Sequence, residues 1–296
     1  MNRTVARLLF AAAFCLATAA ANAQPLLRPA WLIAHPRSPD LLVLDLRDAA
    51  AHDAGHIPGA VAADFNHAGW RIKTDDGAVG ALPPTARLAA MLGGLGVGEH
   101  THVVLVADHF SNAARAYWTL LILGHRDVSI LDGGWQGWLA AGGKPDTHPV
   151  SPRPARFIAR NHPDLRARIG DVETTLAKAD ATLLDARPAA QFLGQAKAPP
   201  VARPGHLPGA QWVDQASTLA PDGSLKSPAD LAALFARIDP ARPVIVYCNT
   251  GDLSATDWFV LSQILHRRNV RLYEGSMSQW AHDPSRPLQV EAAPPP

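Results

Sequence analysis

The chain has 296 residues, 48% hydrophobic and 18% charged, with 27 Lys and Arg against 26 Asp and Glu. That length holds one large domain or two ordinary ones. The balanced charge excludes the basic excess of a nucleic-acid binder and the acidic runs of a solvating segment, and two cysteines, Cys15 and Cys248, exclude a disulfide framework and a Cys-rich zinc site.

Residues 1–23 read as a secretory signal peptide. Arg3 and Arg7 form the basic start, residues 8–21 are apolar apart from Thr18, and Ala21-Asn22-Ala23 is a small-x-small cleavage site that leaves Gln24 first. The apolar run is short of the ~20 residues that span a bilayer. The expectation is a periplasmic or secreted protein with no membrane contact after cleavage. Cleavage also removes Cys15, so Cys248 becomes a lone thiol in an oxidising compartment, where its presence needs a reason.

From there the chain alternates short apolar runs with amphipathic stretches. Strands are predicted over 41–44 and 103–106, and helices over 83–92 and 112–123. In the second half, strands fall at 182–184 and 244–247, with helices over 227–237 and 254–266. Runs such as Val103-Val104-Leu105-Val106 suit strands buried on both faces. The alternation predicts an α/β architecture, an open and mostly parallel sheet flanked by helices.

The halves repeat. Asp45-Leu46-Arg47 matches Asp185-Ala186-Arg187, and Gly55-His56-Ile57-Pro58-Gly59-Ala60 matches Gly205-His206-Leu207-Pro208-Gly209-Ala210. Trp118 matches Trp258, and Asp132-Gly133 matches Glu274-Gly275. Offsets of this size exceed any solenoid period, so the chain is a duplicated domain. The predicted units are 24–148 and 164–296, joined by a Pro-rich linker over 149–163, with Pro294-Pro295-Pro296 as a frayed tail.

Ligands of open α/β sheets bind at the carboxyl ends of strands. Cys248 stands there, after Val244-Ile245-Val246-Tyr247, and Asn249-Thr250-Gly251-Asp252-Leu253-Ser254 leads on into a helix. A loop that curls into a helix turns its N–H groups inward, which favours an anion such as a thiolate. His56 and His206, before Pro-Gly turns, are expected to tie down backbone groups. The two Asp-x-Arg motifs are expected to form structural ion pairs, with Arg187 also able to face the cleft. Trp118 and Trp258 are expected in the core. No histidine forms the helical pair with a carboxylate base that a catalytic metal uses, so no metal is expected. Asp252, a carboxylate in an anion-holding loop, either opposes anions, or points to water or caps the following helix.

These motifs, in this order and in both halves, resemble the tandem-domain rhodaneses, the family of thiosulfate and 3-mercaptopyruvate sulfurtransferases. The resemblance implies two rhodanese-like domains, the first non-catalytic, with Asp108 in the place of Cys248. It implies transfer of a sulfane sulfur from a small sulfur-containing anion, through a Cys248 persulfide, to cyanide, a thiol or a protein acceptor, without cofactor or metal. Asn249, Thr250, Gly251, Asp252, Leu253 and Ser254, with Arg187, are the implied substrate-binding residues. Thiosulfate enzymes of the family carry Arg and Lys where this chain has Asn249 and Thr250. Mercaptopyruvate enzymes carry Gly-Ser/Thr-Gly there and a second arginine where Leu193 stands. The fold is shared with phosphatases whose loop is Cys-x5-Arg, but the sixth residue after Cys248 is Ser254, which removes the phosphate clamp. The non-enzymatic alternative is a persulfide carrier or a sulfur-delivery protein that docks on a partner.

Overall fold

The computed structural model describes residues 23–36, 38 and 40–291. All of the leader but Ala23 lies outside them, as do Cys15 and the 294–296 tail. The first half contains β1 (Leu26–Leu27), α1 (Pro29–Ala34), β2 (Leu41–Asp45), α2 (Ala49–Ala54), β3 (Val61–Ala62), α3 (Thr85–Gly94), β4 (His102–Val106), α4 (Phe110–Ile122), β5 (Val128–Leu131) and α5 (Gly134–Ala140). The second contains α6 (Ile169–Lys178), β6 (Thr182–Asp185), α7 (Ala189–Phe192), β7 (Gln211–Trp212), α8 (Pro228–Leu234), β8 (Val244–Tyr247), α9 (Leu253–Phe259), β9 (Val270–Leu272) and α10 (Ser276–Trp280).

Two all-parallel sheets result, ordered β1-β5-β4-β2-β3 and β7-β6-β8-β9. A single parallel bridge from Arg166 to Leu272 takes the place that β1 holds in the first sheet. The strands predicted from apolar runs are all present, and β8 is buried along its whole length. The helix predicted over 254–266 is α9 followed by a π-helical turn, Val260–Ile264. Positive φ at His266 and Asn269 turns the chain back towards β9.

Each Asp-x-Arg motif clamps its own Gly-His-x-Pro-Gly segment. Arg47 reaches Asp45 through Nε (2.9 Å) and Nη2 (2.6 Å), and Nη2 also donates to the Gly55 carbonyl at 2.7 Å. Arg187 repeats this on Asp185 (2.9 and 2.6 Å) and Gly205 (2.9 Å). The histidines of those segments donate through Nδ1, His56 to the His52 carbonyl at 2.9 Å and His206 to that of Phe192 at 2.7 Å. These buried, forked pairs fix the loops beyond β2 and β6 to their sheets.

One apolar core runs through both halves. It holds Leu44, Val103 and Trp118 from the first sheet's side and Leu184, Val246 and Trp258 from the second's. At its centre α4 packs on α9, with Phe110 and Tyr117 meeting the Phe259 ring edge-on at 5.6 and 5.0 Å. The helix that follows Cys248 is therefore wedged against the other half.

Candidate active site

Strand register puts Cys248 at the sheet's edge. Asp185 pairs with Tyr247, so Cys248 is the first residue past β8. Its amide donates to Ser276 Oγ at 3.0 Å and its carbonyl accepts from Met277 N at 3.0 Å. Ser276 holds φ at +50°, a left-handed conformation that costs a non-glycine residue strain. The loop then turns back on the sulfur. Gly251, at φ +86°, aims its N–H at Sγ (3.1 Å), and the Ser254 hydroxyl donates to Sγ at 3.3 Å. Two donors thus converge on a thiol that is only 1% exposed. Such donors favour sulfur's anionic forms.

The sulfur forms part of the floor of a cleft of about 530 Å³ between the halves. Asn249, Thr250, Asp252 and Leu253 line it from the second half, and Asp108, His109 and Phe110 face them from the first. Asn249 Nδ2 donates to Gln191 Oε1 at 2.8 Å, which leaves its buried Oδ1 without a partner. Ser254 belongs to the sulfur's own hydrogen-bond shell, not to the cleft wall.

Arg187 stands apart from this set. Its side chain has no exposure, its fork is spent on Asp185 and Gly205, and it does not line the cleft. The geometry is that of a structural clamp, with one buried nitrogen, Nη1, left unpaired. Leu193 packs in a second apolar cluster of the same half.

Asp252 lines the cleft with its side chain 17% exposed. Its carboxylate makes no capping bond to α9. It is not an unopposed charge either, because Arg71 of the first half pairs with Oδ2, and Thr250 Oγ1 donates to the same oxygen at 3.1 Å.

Asp108 is not the register equivalent of Cys248. Asp45 pairs with Val106 as Asp185 pairs with Tyr247, so Ala107 takes the cysteine's place. The Ala107 carbonyl accepts from Trp135 as that of Cys248 accepts from Met277. The two tryptophans are one residue out of step with that register, so the first half carries one extra residue between strand and helix. Neither Ala107 nor Asp108 is a sulfur nucleophile.

The first half contributes groups with no counterpart in the sequence reading. A segment from Arg71 to Ala81 lies across the Cys248 loop. Val79 N donates to Ser278 Oγ at 3.2 Å, and a Cβ on Gly80 would fall 1.8 Å from the Thr250 carbonyl oxygen. Beneath it, the fully buried Arg115 of α4 donates through Nη2 to the Gly80 carbonyl at 2.7 Å. Burial pushes the Arg115 guanidinium down, against the pull of Asp252, Glu274 and Cys248. The available signal was compositional, since Arg115 is the single charged residue of α4. Among the described residues, no three of His, Cys, Asp and Glu gather as a metal site.

The rhodanese-like domain profile matches residues 28–141 and 168–283, so the chain belongs to the rhodanese family, with the domain present twice. It is 31% identical over 287 residues to the thiosulfate sulfurtransferase of Corynebacterium glutamicum, covering 91% of this chain and 92% of that one. It is 30% identical over 276 residues to the sulfur carrier protein TtuD of Thermus thermophilus, covering 88% and 95%. The anaerobic ergothioneine biosynthesis enzyme from Chlorobium limicola shares the fold, with a TM-score of 0.81 at 21% identity over 91% of this chain and 71% of that one.

Proposed function

We propose that the protein is a sulfurtransferase whose Cys248 carries a sulfane sulfur as a persulfide. The thiolate attacks the outer sulfur of the donor, the donor's bond to that sulfur breaks, and the remainder leaves with the electron pair, for example as sulfite. A thiophilic acceptor then attacks the outer sulfur of the persulfide and restores the thiolate. The observation that carries this reading is the convergence of the Gly251 N–H and the Ser254 O–H on a thiol at the floor of a cleft. Fixed donors of this kind hold the anions of both half-reactions without reorganising. The similarity to a thiosulfate sulfurtransferase supports the same chemistry.

Thiosulfate and 3-mercaptopyruvate are the donors first to be tested. Among the described residues no lysine or arginine lines the cleft, so donor recognition falls to Asn249, Thr250 and the loop backbone. That weak anion clamp, together with the similarity to a sulfur carrier, favours a second reading in which the protein passes sulfur to a protein acceptor. Mass spectrometry of Cys248 after exposure to each donor, followed by thiocyanate formation with cyanide, separates the two. An enzyme gives many equivalents and a carrier at most one. Cys248→Ser is expected to leave less than ~1% of either signal, as the loss of a covalent nucleophile does, and a larger residue would reject the assignment.

Export is part of the proposal, on the strength of the Arg3/Arg7 start and the Ala-Asn-Ala site. Intact mass of the native protein should begin at Gln24; a chain retaining residues 1–23 in the cytoplasm would refute export.

A further inference from the structure

The carboxylates packed around Cys248 are each matched by an arginine. Asp252 pairs with Arg71, Glu274 with Arg166, and Asp185 with Arg187. In α9, Asp257 is fully buried, and burial pushes its carboxyl well above its ordinary range, which favours its uncharged form. Asp108 is exposed at the lip of the cleft. Arg115 breaks the pattern. It is completely buried, and among the described residues it takes part in no salt bridge and its Nε and Nη1 have no hydrogen-bond partner. Its contacts are the Gly80 carbonyl and the Trp118 ring, 4.8 Å from the guanidinium carbon.

A buried guanidinium with unmatched donors is costly unless an anion stands near it. Asp252 and Glu274 both lie near Arg115, but each is already paired with another arginine, which leaves the Cys248 sulfur as the unmatched anion site beside it. A Cβ on Gly251 would lie 2.3 Å from Arg115 Nη1, so the guanidinium rests directly on the Gly251 backbone. Gly251 is the residue whose amide donates to Cys248 Sγ. The surplus cation thus backs the peptide that holds the sulfur.

We propose that Arg115, supplied by the half without a nucleophile, is the countercharge of the Cys248 thiolate and persulfide and acts on them through the Gly251 peptide. It is a positioning residue, since its nitrogens make no bond to the sulfur. The inference rests on Cys248 being the reactive thiol, and it places the loop's missing cation behind the loop, where no donor molecule meets it. Charge balance then changes sign with the reaction state. Over the three ion pairs and Arg115, one positive charge is unmatched with a neutral thiol and none with a thiolate or persulfide.

The test is the rate of Cys248 alkylation by iodoacetamide against pH, in the full chain carrying Arg115→Gln or Arg115→Lys. Thermal midpoints are recorded alongside, with Cys248→Ser as the blank. Gln keeps a donor for the Gly80 carbonyl and removes the charge. It should move the midpoint of the profile up by about one unit and slow alkylation about tenfold below that midpoint. Lys keeps the charge and should stay within about threefold of wild type. A folded Gln chain whose profile overlays wild type would overturn the proposal, because a purely structural arginine would alter stability and leave the profile in place. Should the Gln chain not fold, the Lys chain decides: a full-unit displacement there would overturn the proposal equally. A wild-type chain that does not alkylate at all would instead remove Cys248 as the reactive thiol.

Discussion

Asp252→Asn and Arg71→Met, made singly and together, form a cycle that measures how the two halves set the field at the sulfur. The pair is partly buried, with side chains 22% and 17% exposed for Arg71 and Asp252. A close pair of opposite charges leaves little net field beyond its own span. A unit charge at roughly 6–8 Å, the reach of a four-residue loop, acts through an effective dielectric between about 20 and 80 and contributes about 1 kcal/mol once solvent is allowed for. Asp252→Asn leaves Arg71 unopposed, so the alkylation midpoint of Cys248 should fall by somewhat under one unit. Arg71→Met leaves the carboxylate unopposed, and the midpoint should rise by a similar amount. The double variant should return to within a few tenths of a unit of wild type. A dianion such as thiosulfate feels each change about twice as strongly, so kcat/KM for it should rise several-fold in Asp252→Asn and fall several-fold in Arg71→Met. The shifts should shrink as salt approaches ~1 M, where screening acts within ~3 Å. Single variants that move the midpoint the same way, or not at all, would refute the charge-cancelling account of the pair.

Gly251→Ala should abolish persulfide formation and cost about 2–4 kcal/mol in stability, because its φ is +86° and a Cβ would meet Arg115 Nη1 at 2.3 Å and Glu274 Cα at 2.7 Å; urea unfolding and donor-treated mass spectra check both. Asp257→Asn should stabilise the protein at neutral pH and have little effect near pH 4. Burial, then Asp214 and Asp185, raise that carboxyl above its ordinary 3.8. The native state therefore favours the proton that the unfolded chain releases, and stability is lost as pH climbs past the unfolded value. Equal gains in melting temperature at pH 4 and pH 8 would contradict this. A fragment spanning residues 164–296 should alkylate slowly and aggregate, since it lacks Arg71 and Arg115 and bares Phe259, which packs on Phe110 and Tyr117; a soluble fragment with the full chain's alkylation profile would show that the first half contributes nothing at the site.

What could be read from the sequence was whatever local pattern controls. β2, β4, β6 and β8 are buried on both faces and show as apolar runs, whereas β1, β3 and β7 are two residues long and owe their existence to neighbouring strands. The paired Asp-x-Arg and Gly-His motifs showed in duplicate because each clamp closes within its own half. Cys248 and its loop were legible because a nucleophile at a strand end needs no other segment to identify it. Arg71 was not, since its partner is 181 residues away and the pairing depends on how the halves pack. The placing of Asp108 opposite Cys248 missed for the same reason: a one-residue insertion is invisible until strand register is seen. The placing of Arg187 at the cleft missed because its residue type does not reveal that Asp185 and the Gly205 carbonyl together claim its fork.

The contact at Gly80 sets a rule for recombining the two halves. Its Cα lies so close to the Thr250 carbonyl that even an alanine methyl would overlap the oxygen. A first half taken from a relative could join this second half only if it brought glycine at that point, however well the remaining apolar faces agreed. In a library of such chimeras, survival should sort first on that one position, before any residue of the cysteine loop is varied.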